Sequence, residues 1–188
     1  MKNLPPALAF ERLLLHPRAV ELVEQFRALA PAGFVDQADA ATAEALRLMA
    51  GAGAAVLGAD EVEGVAVEET PEWLRLGLLD AFAGWVTGQA ATCRHQPAAE
   101  RPRPVLAAAW KPGLVVCQAC AHLTALPRGR ARDRICDACG RECAGLDHGD
   151  GIYPGLAQIG PLVYQYGTCG DCRPAESHAA PRSRPAEG

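Results

Sequence analysis

Apolar and polar positions follow two different rhythms along this chain, and the change falls near residue 91. Residues 1–90 repeat at helical spacing. A first helix is expected from about Leu4 to Leu15, ended by His16-Pro17. Pro17 is suited to open a second helix, because a first-turn proline loses no hydrogen bond. In that helix Val20, Val23, Phe26 and Ala30 fall on one side, with Glu21, Glu24 and Arg27 opposite. Pro31 and Gly33 stop it. A third helix spans about Asp39 to Ala50, with Ala43, Leu46 and Met49 or Ala50 on one face and Gly51 at its end. A fourth begins at Thr70-Pro71-Glu72, a cap residue, a first-turn proline and an acid at the positive end of the helix dipole. Its stripe is Leu74, Leu78, Phe82 and Trp85, and Gly88 closes it. Between helices three and four, Val62, Val65 and Val67 could form a short strand among acidic residues. A bundle of four helices is the simplest way to bury these stripes.

Past the extended, proline-rich stretch 96–104 the runs shorten. Leu114-Val115-Val116 leads into Cys117, Ile135 precedes Cys136, and Pro161-Leu162-Val163-Tyr164 approaches Cys169. Short strands feeding cysteine turns predict a small β-rich domain. The expected fold class is therefore α+β: an acidic helical bundle over 1–90, a metal-knuckle domain over 91–173, and a disordered tail over 174–188, where apolar anchors are lacking.

Cysteine spacing sharpens that expectation. Cys117-x2-Cys120 and Cys136-x2-Cys139 are separated by 15 residues, Cys169-x2-Cys172 follows, and Cys93-x-His95 precedes. Such doublets read as zinc sites, and four protein ligands make a closed, structural shell. Two zinc ions are expected, held by Cys93, His95, Cys117, Cys120, Cys136, Cys139, Cys169 and Cys172. The 15-residue separation suits a local site of Cys117, Cys120, Cys136 and Cys139, nested inside one built from Cys93, His95, Cys169 and Cys172. An interleaved cross-brace, joining pairs one and three and pairs two and four, is the alternative. Cys143 is left over, a small buried residue beside a knuckle or a substitute ligand. Separated doublets suit zinc better than an iron–sulfur cluster, and no βαβ pattern supports a redox role.

The residues Cys117-Gln118-Ala119-Cys120 and Ile135-Cys136-Asp137-Ala138-Cys139-Gly140 resemble zinc ribbons and treble-clef zinc fingers. The resemblance covers about residues 114–143 and implies a metal module without selecting a family. Asp147-His148 between two Cys-x2-Cys pairs loosely resembles HNH nucleases. That likeness implies His148 as a general base, with Asp147 or Asp150 near a divalent cation. The later Asn and His of that pattern are missing.

Charge divides the chain as well. Residues 1–92 carry 6 basic and 13 acidic side chains, a balance of −7, whereas residues 93–188 stand at +3. Arg101, Arg103, Lys111, Arg128, Arg130, Arg132 and Arg134 make 101–134 a stretch of +6, with Asp133 its single acid. In an extended loop the last four would share one face and could follow a phosphate backbone. The expected function is a non-enzymatic module holding nucleic acid through this loop, a protein through the acidic helices, or both. No stretch suits a membrane span or a signal peptide. A reducing cytoplasm then favours metal over disulfides, and the Arg, Ala and Pro bias suits a high-GC bacterial genome.

Overall fold

The computed structural model describes residues 4–57, 67, 69–127, 129–145 and 148–173. Four helices come first, α1 (Pro6–Leu14), α2 (Ala19–Leu29), α3 (Ala32–Leu57) and α4 (Glu72–Val86). Five strands follow, β1 (Ala91–Thr92), β2 (Val105–Ala108), β3 (Leu114–Cys117), β4 (Tyr153–Ile159) and β5 (Leu162–Thr168). They form one sheet in the order β1-β3-β2-β5-β4. β1 runs parallel to β3 and β2 parallel to β5, while β2–β3 and β4–β5 are antiparallel. The fold class is α+β, as expected. The proposed strand through Val62 and Val65, residue Arg128, residue Asp147 and the tail 174–188 lie outside the described residues.

The core lies between α4 and one face of the sheet. Leu74, Leu78, Ala81 and Trp85 pack on Val105, Ala107, Val115, Leu162, Tyr164 and Tyr166. On β2 and β5 these are alternate residues, the period a pleated strand requires. The stripe expected on helix four is thus buried, but against strands. Two glycines allow the approach. A Cβ on Gly77 would lie 2.7 Å from the Tyr164 hydroxyl, and one on Gly155 would run into the Tyr166 ring laid across it. Trp73 meets the same ring edge-on at 5.5 Å. At the far end α4 closes with Gly88 at φ 70. The Gly88 amide donates to Trp85 O and the Gln89 amide to Gly84 O, which satisfies two terminal carbonyls.

The remaining helices depart from the sequence reading in instructive ways. α1 lies on α4 through a Phe10–Phe82 edge contact at 5.6 Å and a half-buried Glu11–Arg75 ion pair at 2.7 Å. Arg75 also donates to Thr70 O. Pro71, not Thr70, occupies the cap position of α4. α3 runs through Gly51 and Gly53 to Leu57, and it turns Ala41, Ala45 and Met49 inward while Leu46 is 47% exposed. It lies against β4 and β5, where Gln158 Nε2 donates to Thr42 O at 3.0 Å. A bundle burying every stripe is not what forms, since no residue of α2 is buried.

Gly155→Ala should therefore lower stability by about 1–3 kcal/mol, the usual cost of overpacking. Gly51→Ala, inside α3 with nothing within 4 Å of the new methyl, should raise it by roughly 0.5–1 kcal/mol. Denaturant midpoints of the metal-loaded protein measure both. Equal effects would contradict this packing.

Candidate metal centres

Two ligand sets form, and each joins neighbouring pairs. Cys93, His95, Cys117 and Cys120 place their donor atoms within 4.8 Å of one another, and so do Cys136, Cys139, Cys169 and Cys172. All eight expected ligands take part. Both pairings expected from the sequence, nested and interleaved, are corrected: pair one meets pair two, and pair three meets pair four. Sheet order is the reason. β1 lies beside β3, so Cys93 just past β1 reaches Cys117 at the end of β3. The loop carrying Cys136 and Cys139 closes on the end of β5, beside Cys169.

At the first centre Cys93 Sγ is 3.7 Å from Cys117 Sγ, and His95 Nδ1 is 3.3 Å from Cys117 Sγ and 3.2 Å from Cys120 Sγ. Donors bound at tetrahedral Zn–S and Zn–N lengths stand about 3.4–3.8 Å apart, so this spacing fits one ion. Cys117 to Leu123 turn through short 3-10 helix, and the turn is braced from outside. Trp110 Nε1 donates to Thr124 O at 2.7 Å, and Gln165 Nε2 donates to Thr124 Oγ1 at 2.9 Å, tying the knuckle to β5. His122 is exposed and stands outside the ligand set.

At the second centre Cys139 Sγ lies 3.9 Å from Cys169 Sγ, and the Cys169 amide donates to Cys136 Sγ at 3.3 Å. Gly140 takes φ 73 directly after the knuckle, where a side chain would be strained. Asp137 fastens the knuckle to β5: its amide donates to Gly167 O at 2.8 Å, and its carboxylate accepts from the Gly167 amide at 2.7 Å. Cys143 packs with Cys136 and Cys169 but does not join the four. Burial, and then the nearby Asp150 carboxylate, raise its thiol above the usual range.

Electrostatics within each set are frustrated without a cation. Burial pushes the Cys93 thiol up, but the amides and side chains of Cys117 and His95 outweigh it and bring it down to about 6. Burial and the neighbouring thiols Cys93 and Cys117 push Cys120 up to about 11. The second centre repeats this. Burial opposes, yet Arg141 and the Cys172 amide bring Cys169 down to about 7. The hydrogen bond to Cys139, with burial, lifts Cys172 to about 12. One thiolate forms readily in each set and discourages the next, and a dication removes that conflict.

The basic loop is less available than the sequence implied. Residues Ala131–Arg134 form a 3-10 turn, so Arg130, Arg132 and Arg134 do not alternate along an extended strand, and the shared face is corrected. Arg132 pairs with Asp137, and Arg134 pairs with Glu142 at 2.8 Å. Lys111 Nζ donates to Leu123 O. Arg101, Arg103 and Arg130 are exposed. His148 is exposed, its amide on Gly145 O, and Asp150 pairs with Arg141 at 2.9 Å. Arg141, not among the residues expected at the site, also approaches Cys169 and Asp171. An arginine two residues after a Cys-x2-Cys was the available signal.

Cys117→Ser with Cys120→Ser should remove one metal per chain, leaving an all-cysteine site. Cys169→Ser with Cys172→Ser should remove the other, leaving a Cys3His site. Elemental analysis with cobalt substitution distinguishes the two spectra, and loss of the same site in both variants would overturn the pairing. Metal uptake must also strip the raised thiols of Cys120 and Cys172. Affinity should therefore rise with pH between 6 and 8, with protons released; chelator competition at several pH values measures this, and a flat profile contradicts it.

No protein-family model matches this chain, and no match was found to a curated protein or to a solved structure.

Proposed function

We propose that this chain is a non-catalytic adaptor whose sheet is stapled by two structural zinc ions. The observation that carries this reading is the completeness of both ligand sets. Each offers four protein donors at single-ion spacing, and a full tetrahedral shell leaves no position for substrate or activated water. Sulfur-rich sets of three or four thiols favour zinc over hard cations. The eight cysteines are free thiols, in keeping with a reducing cytoplasm. No helix among the described residues is long and apolar enough to cross a membrane.

Protein is the better-supported partner. Arg132 and Arg134 are occupied by carboxylates within the metal-bearing half, which weakens the case for a phosphate track. Nucleic acid is retained as a second reading because Arg101, Arg103 and Arg130 stay exposed. The HNH-like reading gains no support, since Asp150 is held by Arg141.

Freshly purified protein should contain two zinc ions and show no Mg²⁺- or Mn²⁺-dependent cleavage of DNA or RNA. Chelation should unfold the sheet and loosen α4 with it, because they share one core. One zinc ion or none would sink the reading. So would cleavage that His148→Ala abolishes. Salt-sensitive retention of duplex DNA, with a log–log slope of roughly −0.9 per phosphate contacted, would move the partner from protein to nucleic acid.

A further inference from the structure

α2 is an amphipathic helix that buries nothing. Ala19, Leu22, Val23, Phe26, Leu29 and Ala30 fall on one side at helical spacing, with Val20 at the margin, while Glu21, Glu24 and Gln25 lie on the other. Such a face normally packs on a neighbour. Here Val20 is 78% exposed, Phe26 65% and Leu29 84%, with Val23 at 40%. One exposed ion pair ties the helix to its neighbour, and its other polar contacts are local. The Arg27 guanidinium makes a two-pronged bond to Asp39 of α3, at 2.9 and 2.7 Å. At the other end Arg18 grips Glu21 at 2.7 and 2.6 Å, and His16 Nδ1 accepts the Arg18 amide.

We propose that this face is a self-association surface, closed by α2 of a second copy of this chain. Charge and area point to that occupant. Of the charges along the helix, Arg18 is matched by Glu21 and Arg27 by Asp39, which leaves only Glu24. A strongly basic or acidic partner would find little to pair with, whereas an identical neutral face fits without new charges. Val20, Val23, Phe26 and Leu29 together present on the order of 500 Å² per copy. A symmetric pair covers at most about 1,000 Å², the scale at which specific interfaces begin. In a two-fold arrangement with antiparallel helices, the axis passes between Val23 and Phe26. Val23 then meets the second copy's Phe26, so the contact is self-complementary, while Val20 and Leu29, half a turn apart, lie along its opposite edges. The acidic balance of residues 1–92 opposes such pairing at long range, and screening by salt relieves it.

The test is the mass of the full, zinc-loaded chain by light scattering and sedimentation, at low and high salt. The expected wild-type result is twice 19.8 kDa at tens of micromolar, with the dimer tighter at high salt. Phe26→Glu with Leu29→Glu should weaken association at least 100-fold. Because both side chains are exposed, helicity and zinc content should be kept, which separates this outcome from unfolding and from any failure of the zinc reading. A wild-type chain that stays at 19.8 kDa overturns the proposal. A double variant that keeps the dimer mass overturns it as well, as does a wild-type chain that binds a different protein through α2 in preference to itself.

Discussion

Crowding of thiols at strand ends is the constraint on which the cysteine-rich half depends. β1 has two residues, and β2 and β3 have four each. Strands of that length hold little by backbone pairing alone. Two of them end at a candidate ligand, as does the longer β5: Cys93 follows β1, Cys117 ends β3, and Cys169 follows β5. A cation that satisfies four thiolates or imidazoles at once therefore fixes strand ends that the ladder would leave free to fray. Asp137, Thr124 and Trp110 extend the same arrangement by tying each knuckle to neighbouring segments of the sheet.

The two centres differ in their surroundings. The first is a Cys3His set whose imidazole is exposed. The second is an all-cysteine set whose formal charge with a dication is −2, and Arg141 stands beside Cys169, linked to Asp150 and Asp171. A charge-assisted donor to a bound thiolate lessens the excess negative charge. The ligand sets thus offer a metal different environments although their sulfur doublets look alike in the chain.

What could be read beforehand was whatever depends on local order. The doublets declared themselves as candidate ligands, and Leu74, Leu78 and Trp85 were recognisable as core. Ligand pairing was not, because the 15 residues between Cys120 and Cys136 measure distance along the chain, whereas the parallel β1–β3 pairing decides distance in space. The Gly155–Tyr166 crossing likewise joins residues brought opposite by register. Helix α3 outran its glycines because packing on β4 and β5 outweighs their weak helix propensity. The arginines of the inter-knuckle loop looked free because their carboxylate partners, Asp137 and Glu142, lie beyond the loop.

The proline-rich stretch 96–104 read as a spacer, yet it is strapped down. Trp85, 5% exposed at the end of α4, donates its indole N–H to Pro97 O at 2.9 Å, and Pro97 and Pro102 are buried. A tethered pair of modules would search for two targets independently, gaining from a high local concentration. With the strap bolted to the last turn of α4, the hinge such a search needs is missing at this point. A partner docking on α4 would then be presented at a fixed angle to the sheet and its two ligand sets, held by a bracket rather than a leash.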